Sequence, residues 1–455
     1  MPSTVLDSEI FRNLYGTEAM RAIFADEAVL QRYLDVEAAL ARVQSRLGII
    51  PQEAADEITA KAKFEHLDFD AYKRGVERVF YPILPLVEGI VAACRDGLGE
   101  YCHWGATTQD IMDSALSLQV RDALDIIGAD LDAVAGLLAG LAREHRDTVM
   151  AGRSHLQQAL PVTFGYKVAV WLSGIERHRQ RLAELRPRAT LAQFSGAAGT
   201  LASLGADGFA VQEGLADELR LGRPEITWHV MRDNVAEIVT YLGLVTGTLG
   251  KIGTDVLMLM QSEVGEVFEP FAHGRGASST MPQKRNPVSC ELLIVAAKAV
   301  RQNVAMMLDG MLHDHERASG PWQVEWLALP QAFILSAGAL GQARVMLDGL
   351  IVDKARMLRN LELTNGMIVS EAVMMGLAPH IGRQTAHDLV YDACRDAVTG
   401  NRPLYDVLAE MPAVTDKLSL AAIKSLCDPA NYTGLAGEMV DRLLNKATAP
   451  KTLAQ

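Results

Sequence analysis

Cysteine is scarce and unpatterned in this chain of 455 residues. Cys94, Cys102, Cys290, Cys394 and Cys427 stand apart without C-x-x-C spacing, which argues against a disulfide framework or a zinc module and for reduced thiols. Positive charge is also short: 56 Asp and Glu face 43 Lys and Arg, a formal net charge of -13. No basic field exists to hold nucleic acid or an anionic membrane, so a small anion must be gripped by local donors. Nowhere do about eighteen apolar residues follow one another. Residues 1–9 lack the basic-then-apolar pattern of a signal peptide. Cytoplasm is the expected location. Breaks rich in proline and glycine are few, and no repeat or low-complexity tract appears.

What is present is helical periodicity. Leu116, Val120, Leu124, Ile127, Leu131, Val134, Leu138 and Leu141 recur at intervals of three and four, marking a helix of about 40 Å with a continuous buried stripe. Segments 161–185 and 235–266 repeat the pattern, the second apolar on more than one side, which calls for several neighbours. The expected fold is all-α, with a helical domain at 1–109, a central long-helix bundle at 110–350 and a further helical domain at 351–455. The end, from about Lys446 to Gln455, reads as a disordered tail.

Residues 274–287 break this periodicity. Gly274, Arg275, Gly276, Ser278, Ser279, Lys284 and Asn286 place glycines, hydroxyls, cations and a carboxamide in one short run built to wrap an anion. Two other polar clusters stand out. His103-Trp104-Gly105-Ala106-Thr107-Thr108-Gln109-Asp110 precedes the long helix, where Thr108 or Asp110 can cap its start and the same helix end attracts anions. Gly152-Arg153-Ser154-His155-Leu156-Gln157 adds a second imidazole.

The run Ser278 to Pro287, of the form Ser-Ser-x-Met-Pro-x-Lys-x-Asn-Pro, resembles the signature of the fumarase/aspartase superfamily, which includes argininosuccinate lyase, adenylosuccinate lyase and 3-carboxy-cis,cis-muconate cycloisomerase. Residues 14–51, 103–113 and 152–161 resemble further segments of that family, so nearly the whole chain is covered. The resemblance implies a homotetramer whose central helices share one bundle, with each active site built from three subunits. It also implies a lyase with no metal or organic cofactor, acting on a small dicarboxylate or tricarboxylate.

Residue roles follow from the same resemblance. Ser278, in the signature loop at 267–290, matches the catalytic base, while Lys284 and Asn286 match carboxylate-holding residues. Thr107 and Thr108 match a carboxylate-binding Thr-Ser pair, with Gln109 as companion; Ser154 and Gln157 are assigned to the substrate. His155 matches the histidine that protonates the leaving group in lyases releasing an amine or alcohol. Glu291, five positions beyond Asn286, matches the glutamate that orients it. A carboxylate paired with an imidazole raises the imidazole's pKa and fixes its tautomer. His103 is read either as a structural histidine or as a substrate contact. Arg317 is read either as holding a second carboxylate or as ion-paired among Asp314, Glu316 and Glu325.

Two branches compete. The bacterial carboxymuconate cycloisomerases, which the chain otherwise resembles most, carry tryptophan in place of His155 and lack the glutamate. Yet Trp228-His229-Val230-Met231-Arg232-Asp233, and His315-Glu316-Arg317 followed by Trp322 and Trp326, follow their pattern. Trp228, Trp322 and Trp326 are expected as core or pocket walls. The Thr-Arg-His-Asp segment of adenylosuccinate lyases is missing around residues 78–85, which argues against a nucleotide substrate. The expected reaction is β-elimination from a succinyl-type substrate to fumarate and an amine, with lactonisation of 3-carboxymuconate as the alternative. A catalytically silent structural protein is the alternative of another class.

Overall fold

The computed structural model describes residues 4–271, 273–317 and 320–448. Nineteen α-helices stand against two two-stranded sheets among the described residues, so the fold is all-α. Six helices carry the argument: α1 (Asp26–Arg46), α2 (Thr108–Glu144), α3 (Phe164–Ala189), α4 (Asp233–Leu259), α5 (Val288–Asp309) and α6 (Pro321–Asp348). The stripe on α2 is buried as its spacing requires, with Val120, Leu124, Ile127, Leu131, Val134 and Leu138 each at most 1% exposed. At about 1.5–3 kcal/mol per fully buried aliphatic side chain, this stripe outweighs any single polar contact near it.

Two helix ends differ from the expectation. The segment at 161–163 is strand, because the preceding residues pair with it: β1 (Val149–Ser154) and β2 (Gln157–Thr163) form an antiparallel hairpin. Helix α3 starts only at Phe164, where the Thr163 hydroxyl accepts from the Tyr166 N-H at 3.1 Å. Helix α4 stops at Leu259, and residue 266 belongs to a separate turn that leads into β3 (Val267–Phe268), paired with β4 (Ile351–Val352). At the chain's end the last helix runs to Thr448, and residues 449–455 of the expected tail lie outside the described residues.

Contacts divide the chain into two compact units, Met1–Asp132 with His178–Gly250 and Leu292–Gln342, and Ala133–Arg177 with Lys251–Glu291 and Ala343–Gln455. The first has its core in Leu34, Leu40, Ile58, Leu86, Ile111, Phe194 and Leu215. Within the second, Val373, Leu377, Val390, Leu404 and Leu408 form one cluster, and Leu361, Ile368 and Val369 pack with Ala151 of β1 in another. Helices α4 and α6 are long and apolar enough to cross a membrane, but 61% of each apolar window is buried inside the protein, as in a core helix. Apolar side chains nevertheless remain outside on the long helices: Leu244 is 49%, Val295 44%, Leu327 60% and Val345 46% exposed.

All five cysteines are free, and burial raises their thiols, that of Cys427 to about 11. They are poor nucleophiles in this state.

Candidate active site

In the first unit, the start of α2 is organised by Asp110. Its carboxylate reaches back to the Thr107 N-H at 3.0 Å and accepts from Ser195 N and Gly196 N, each at 2.9 Å. His229 Nε2 lies 2.8 Å from Oδ1, the oxygen that also accepts from Ser195 N. Asp110 is fully buried, so the capping reading holds for it. The hydroxyls of Thr107 and Thr108, half-buried at the helix amino terminus, have no hydrogen-bond partner among the described residues. They are therefore available to an anion drawn to that helix end. Gln109 is not: it is buried, with its amide donating to the His229 carbonyl at 2.7 Å.

His103 sits on left-handed backbone (φ 59°) just before this helix. Its Nδ1 is 2.6 Å from Oε1 of Glu37, a buried carboxylate on α1 whose Oε2 also accepts from the Cys102 thiol at 3.7 Å. Burial pushes the imidazole's pKa down, but the charge and hydrogen bond of Glu37, with a smaller contribution from Asp110, outweigh it and leave the pKa raised. Stability from this pair is whole below the unfolded imidazole's pKa of about 6.5 and is lost as pH rises through the folded value. In Glu37→Gln the remaining burial should carry the His103 pKa below its ordinary value. An NMR titration of labelled histidines, with the signal assigned by its loss in His103→Gln, checks that reversal.

Arg317 forms no ion pair with Asp314, Glu316 or Glu325. It donates instead to Gln109 Oε1 at 3.5 Å and to the Ala197 carbonyl. Glu325 is taken by Arg232, which is wholly buried and forked between two acids: 2.8 and 3.0 Å to Asp113, 2.8 and 2.5 Å to Glu325. Trp228 is buried against the Arg232 guanidinium, 4.9 Å from its ring centroid. Trp322 and Trp326 line a cavity of about 350 Å³ with Tyr33, Met112, Asp113 and Glu325. All three tryptophans are thus core or wall.

In the second unit, His155 and Leu156 are the two central residues of the β1–β2 turn, at φ 51° and 63°. Two positive φ values define the turn type that fits a hairpin's twist, yet glycine or asparagine normally supplies them. A histidine and a leucine held there store strain, and strain of this kind gathers at functional sites. Ser154, His155, Leu156 and Gln157 are all exposed, Leu156 to 79%. Gly152 makes the bulge below the tip, where a Cβ would lie 2.8 Å from the Leu160 carbonyl oxygen.

The signature loop folds back on itself. Asn286 N donates to Gly276 O at 2.8 Å and Ala277 bridges to Arg285, with Gly274 and Gly276 in left-handed conformation at φ 81° and 66°. A side chain at 276 would meet the Asn286 carbonyl oxygen at 2.5 Å, so this crossing requires glycine. Inside the turn, Ser278 Oγ accepts from Met281 N at 3.0 Å and Thr280 N at 3.3 Å. Lys284 is exposed with no ion pair among the described residues, and Asn286 is half-buried. Glu291 lies exposed in the first turn of α5. Within the chain no ion pair or hydrogen bond joins it to His155 among the described residues. Nor does any group of three or more His, Cys, Asp or Glu stand ready to hold a metal there.

Residues 15–301 match the family described as "Lyase", and residues 366–443 match "Adenylosuccinate lyase C-terminus". The chain belongs to the fumarase/aspartase superfamily. A trans-aconitate decarboxylase 1 of Mycosarcoma maydis is 48% identical over 96% of this chain and 89% of its own length. A 3-carboxy-cis,cis-muconate cycloisomerase of Pseudomonas aeruginosa is 47% identical over 97% of each chain. The solved structure of a fumarate lyase from Mesorhizobium sp. BNC1 is 51% identical, with a TM-score of 0.90 over 95% of this chain and 98% of that one. This superfamily member is therefore an enzyme, a lyase or a cycloisomerase. Glu37, Glu266 and Glu269 are buried acids beside the proposed site segments that sequence reasoning missed. Each stands in an apolar stretch, Val36-Glu37-Ala38 and Glu266-Val267-Phe268-Glu269, and that is the signal that could have flagged them.

Proposed function

We propose that this enzyme catalyses general-base β-elimination from a succinyl-type polycarboxylate, releasing fumarate and an amine. The observation that carries the reading is Ser278 Oγ receiving two backbone N-H groups inside a glycine-hinged loop. N-H donors favour the charged form of the oxygen they meet, which is what a serine needs to act as a base on carbon. Ser278 removes the proton from the carbon next to a carboxylate, and Lys284 and Asn286 hold the doubly charged aci-carboxylate. Thr107 and Thr108 bind a substrate carboxylate at the start of α2, and Ser154 and Gln157 flank the reacting end. The new C=C bond forms as the C-N bond breaks, and His155, oriented by Glu291, gives its proton to the departing nitrogen. Gln109, with its amide already engaged by the His229 carbonyl, supports Arg317 through its side-chain oxygen. Arg317, without a carboxylate partner among the described residues, is assigned a second substrate carboxylate, and His103, whose imidazole pKa is raised by Glu37, lies near the same helix end.

Exposure of His155, Glu291 and Lys284 in a single chain supports completion by other copies, as do the uncovered apolar residues on α4, α5 and α6. We read the assembly as a homotetramer located in the cytoplasm, with the three helical domains at 1–109, 110–350 and 351–455.

Lactonisation of 3-carboxymuconate is the second reading, favoured by the 47% identical cycloisomerase. A panel of N-substituted aspartates, an S-(2-succinyl) thiol and 3-carboxymuconate, followed by ultraviolet absorbance, separates the two. His155→Asn sharpens the test because asparagine tolerates the positive φ at that position. Amine release should fall by about a hundredfold, within the usual range for a lost general acid. Thiol release should fall less, since a thiolate leaves without a proton. Turnover of 3-carboxymuconate alone by the parent enzyme would sink the elimination reading.

A further inference from the structure

The hairpin tip carrying His155 is exposed and strained, yet its stem is held by an ion pair between the half-buried Arg153 and a buried carboxylate. Arg153, two residues before His155, sends Nη1 to Glu266 Oε2 at 2.8 Å and Nη2 to Glu266 Oε1 at 2.7 Å, a parallel two-bond fork. Glu266 is fully buried and takes a third bond from Asn360 Nδ2 at 2.7 Å. The same Arg153 also donates to the Ala151 carbonyl at 3.3 Å, across the bulge at Gly152. The fork thus closes over the one irregular point of the hairpin.

Three residues further on, Glu269 does the same for another segment. It is 7% exposed and accepts from Ser289 N at 3.1 Å and Cys290 N at 2.8 Å, fixing the first turn of α5, which carries Glu291. Between Glu269 and Ser289 lies the loop with Ser278. The two-residue strand β3 that lies between the two glutamates is itself tied to β4 at Val267↔Val352 and Phe268↔Ile351. One short segment is therefore the mount for the hairpin stem, the root of the signature loop and the start of α5.

We propose that Arg153 and Glu266 are positioning residues for His155, setting the hairpin tip from the segment 266–269, β3 with its two flanking glutamates, that also anchors the serine loop. The catalytic consequence rests on the reading of His155 as the proton donor; the mechanical part does not. A general acid contributes only when it is held within hydrogen-bond reach of the leaving atom. Loosening the stem should therefore harm proton delivery more than binding.

Arg153→Lys tests this without unpairing Glu266, since lysine keeps the charge but cannot make the fork. Amide exchange across residues 150–162, measured by hydrogen–deuterium mass spectrometry, should rise about fivefold while α2 and α4 stay protected. On the intact oligomer, kcat for an N-substituted aspartate should drop about tenfold with KM changed less than twofold, and the S-(2-succinyl) thiol should be affected less. Glu266→Gln, which keeps shape and removes the charge, should reproduce the pattern and serves if Arg153→Lys is poorly folded. Unchanged hairpin exchange in either folded variant would overturn the clamp. Faster exchange with equal losses on nitrogen and sulfur substrates would overturn the positioning role. If the parent enzyme eliminates neither substrate, the proposed reaction fails and the positioning role of Arg153 and Glu266 for His155 falls with it; amide exchange then decides the clamp alone.

Discussion

Replacing Ser278 with alanine is expected to lower turnover at least a thousandfold, on the order of what removal of a general base costs, while the protein stays folded. Ser278 lies half-buried in a loop, and among the described residues its hydroxyl accepts two backbone N-H groups, at 3.0 and 3.3 Å. Losing such bonds costs at most about 1–2 kcal/mol, because water replaces the acceptor at a partly open site. Unfolding therefore cannot explain a loss of that size. Steady-state kinetics with the preferred substrate of the panel, beside a thermal melt, checks both halves. Activity within tenfold of the parent would transfer the base role to another residue, with the loop reduced to a binding element.

Arg232→Met should give the largest loss of stability, about 3–5 kcal/mol, the range for breaking a buried charge network by removing one partner. The change leaves Asp113 and Glu325 facing each other, 1% and 2% exposed, with no cation between them. Methionine recovers some packing on Trp228, but the lost cation–π contact and four charge-assisted bonds are larger. The pH dependence has a definite sign. Burial already raises the Glu325 pKa, with Arg232 opposing and Asp113 adding to the rise. A carboxyl whose folded pKa is raised is favoured below its unfolded value and loses that advantage as pH climbs through the folded one. Without Arg232 the rise must grow, so the deficit against the parent should be smaller near pH 5 than near pH 7.5. Urea unfolding at both pH values measures it, and an equal deficit at each would mean that the two acids share no proton.

Much of this was legible in the residues. The apolar stripe from Leu116 to Leu141 specified α2, since three-and-four spacing has no other use in a long segment. The glycines of the signature loop likewise announced a tight turn, which Gly274 and Gly276 make at positive φ. The hairpin at 149–163 was less visible, because its tip is His155-Leu156 rather than the asparagine–glycine pair that usually marks such turns. Arg317 shows another limit: three acids lie near it in sequence, yet Glu325 is three-dimensionally committed to Arg232, and no local pattern reveals that partner. The buried glutamates at 37, 266 and 269 were hidden for the same reason, as each finds its partner far along the chain. Glu37 meets His103, and Glu266 meets Arg153.

On the proposed reading, one catalytic site draws its base, Ser278, and its acid, His155, from different copies of the chain. Subunit complementation tests it: Ser278→Ala and His155→Asn proteins, each nearly inactive, are mixed, dissociated and reassociated. If the two residues come from separate subunits, random mixing restores about a quarter of the parent activity, because one site in four then has both native groups. Hybrids that form but remain as inactive as their parents would place both groups in one chain and contradict the account.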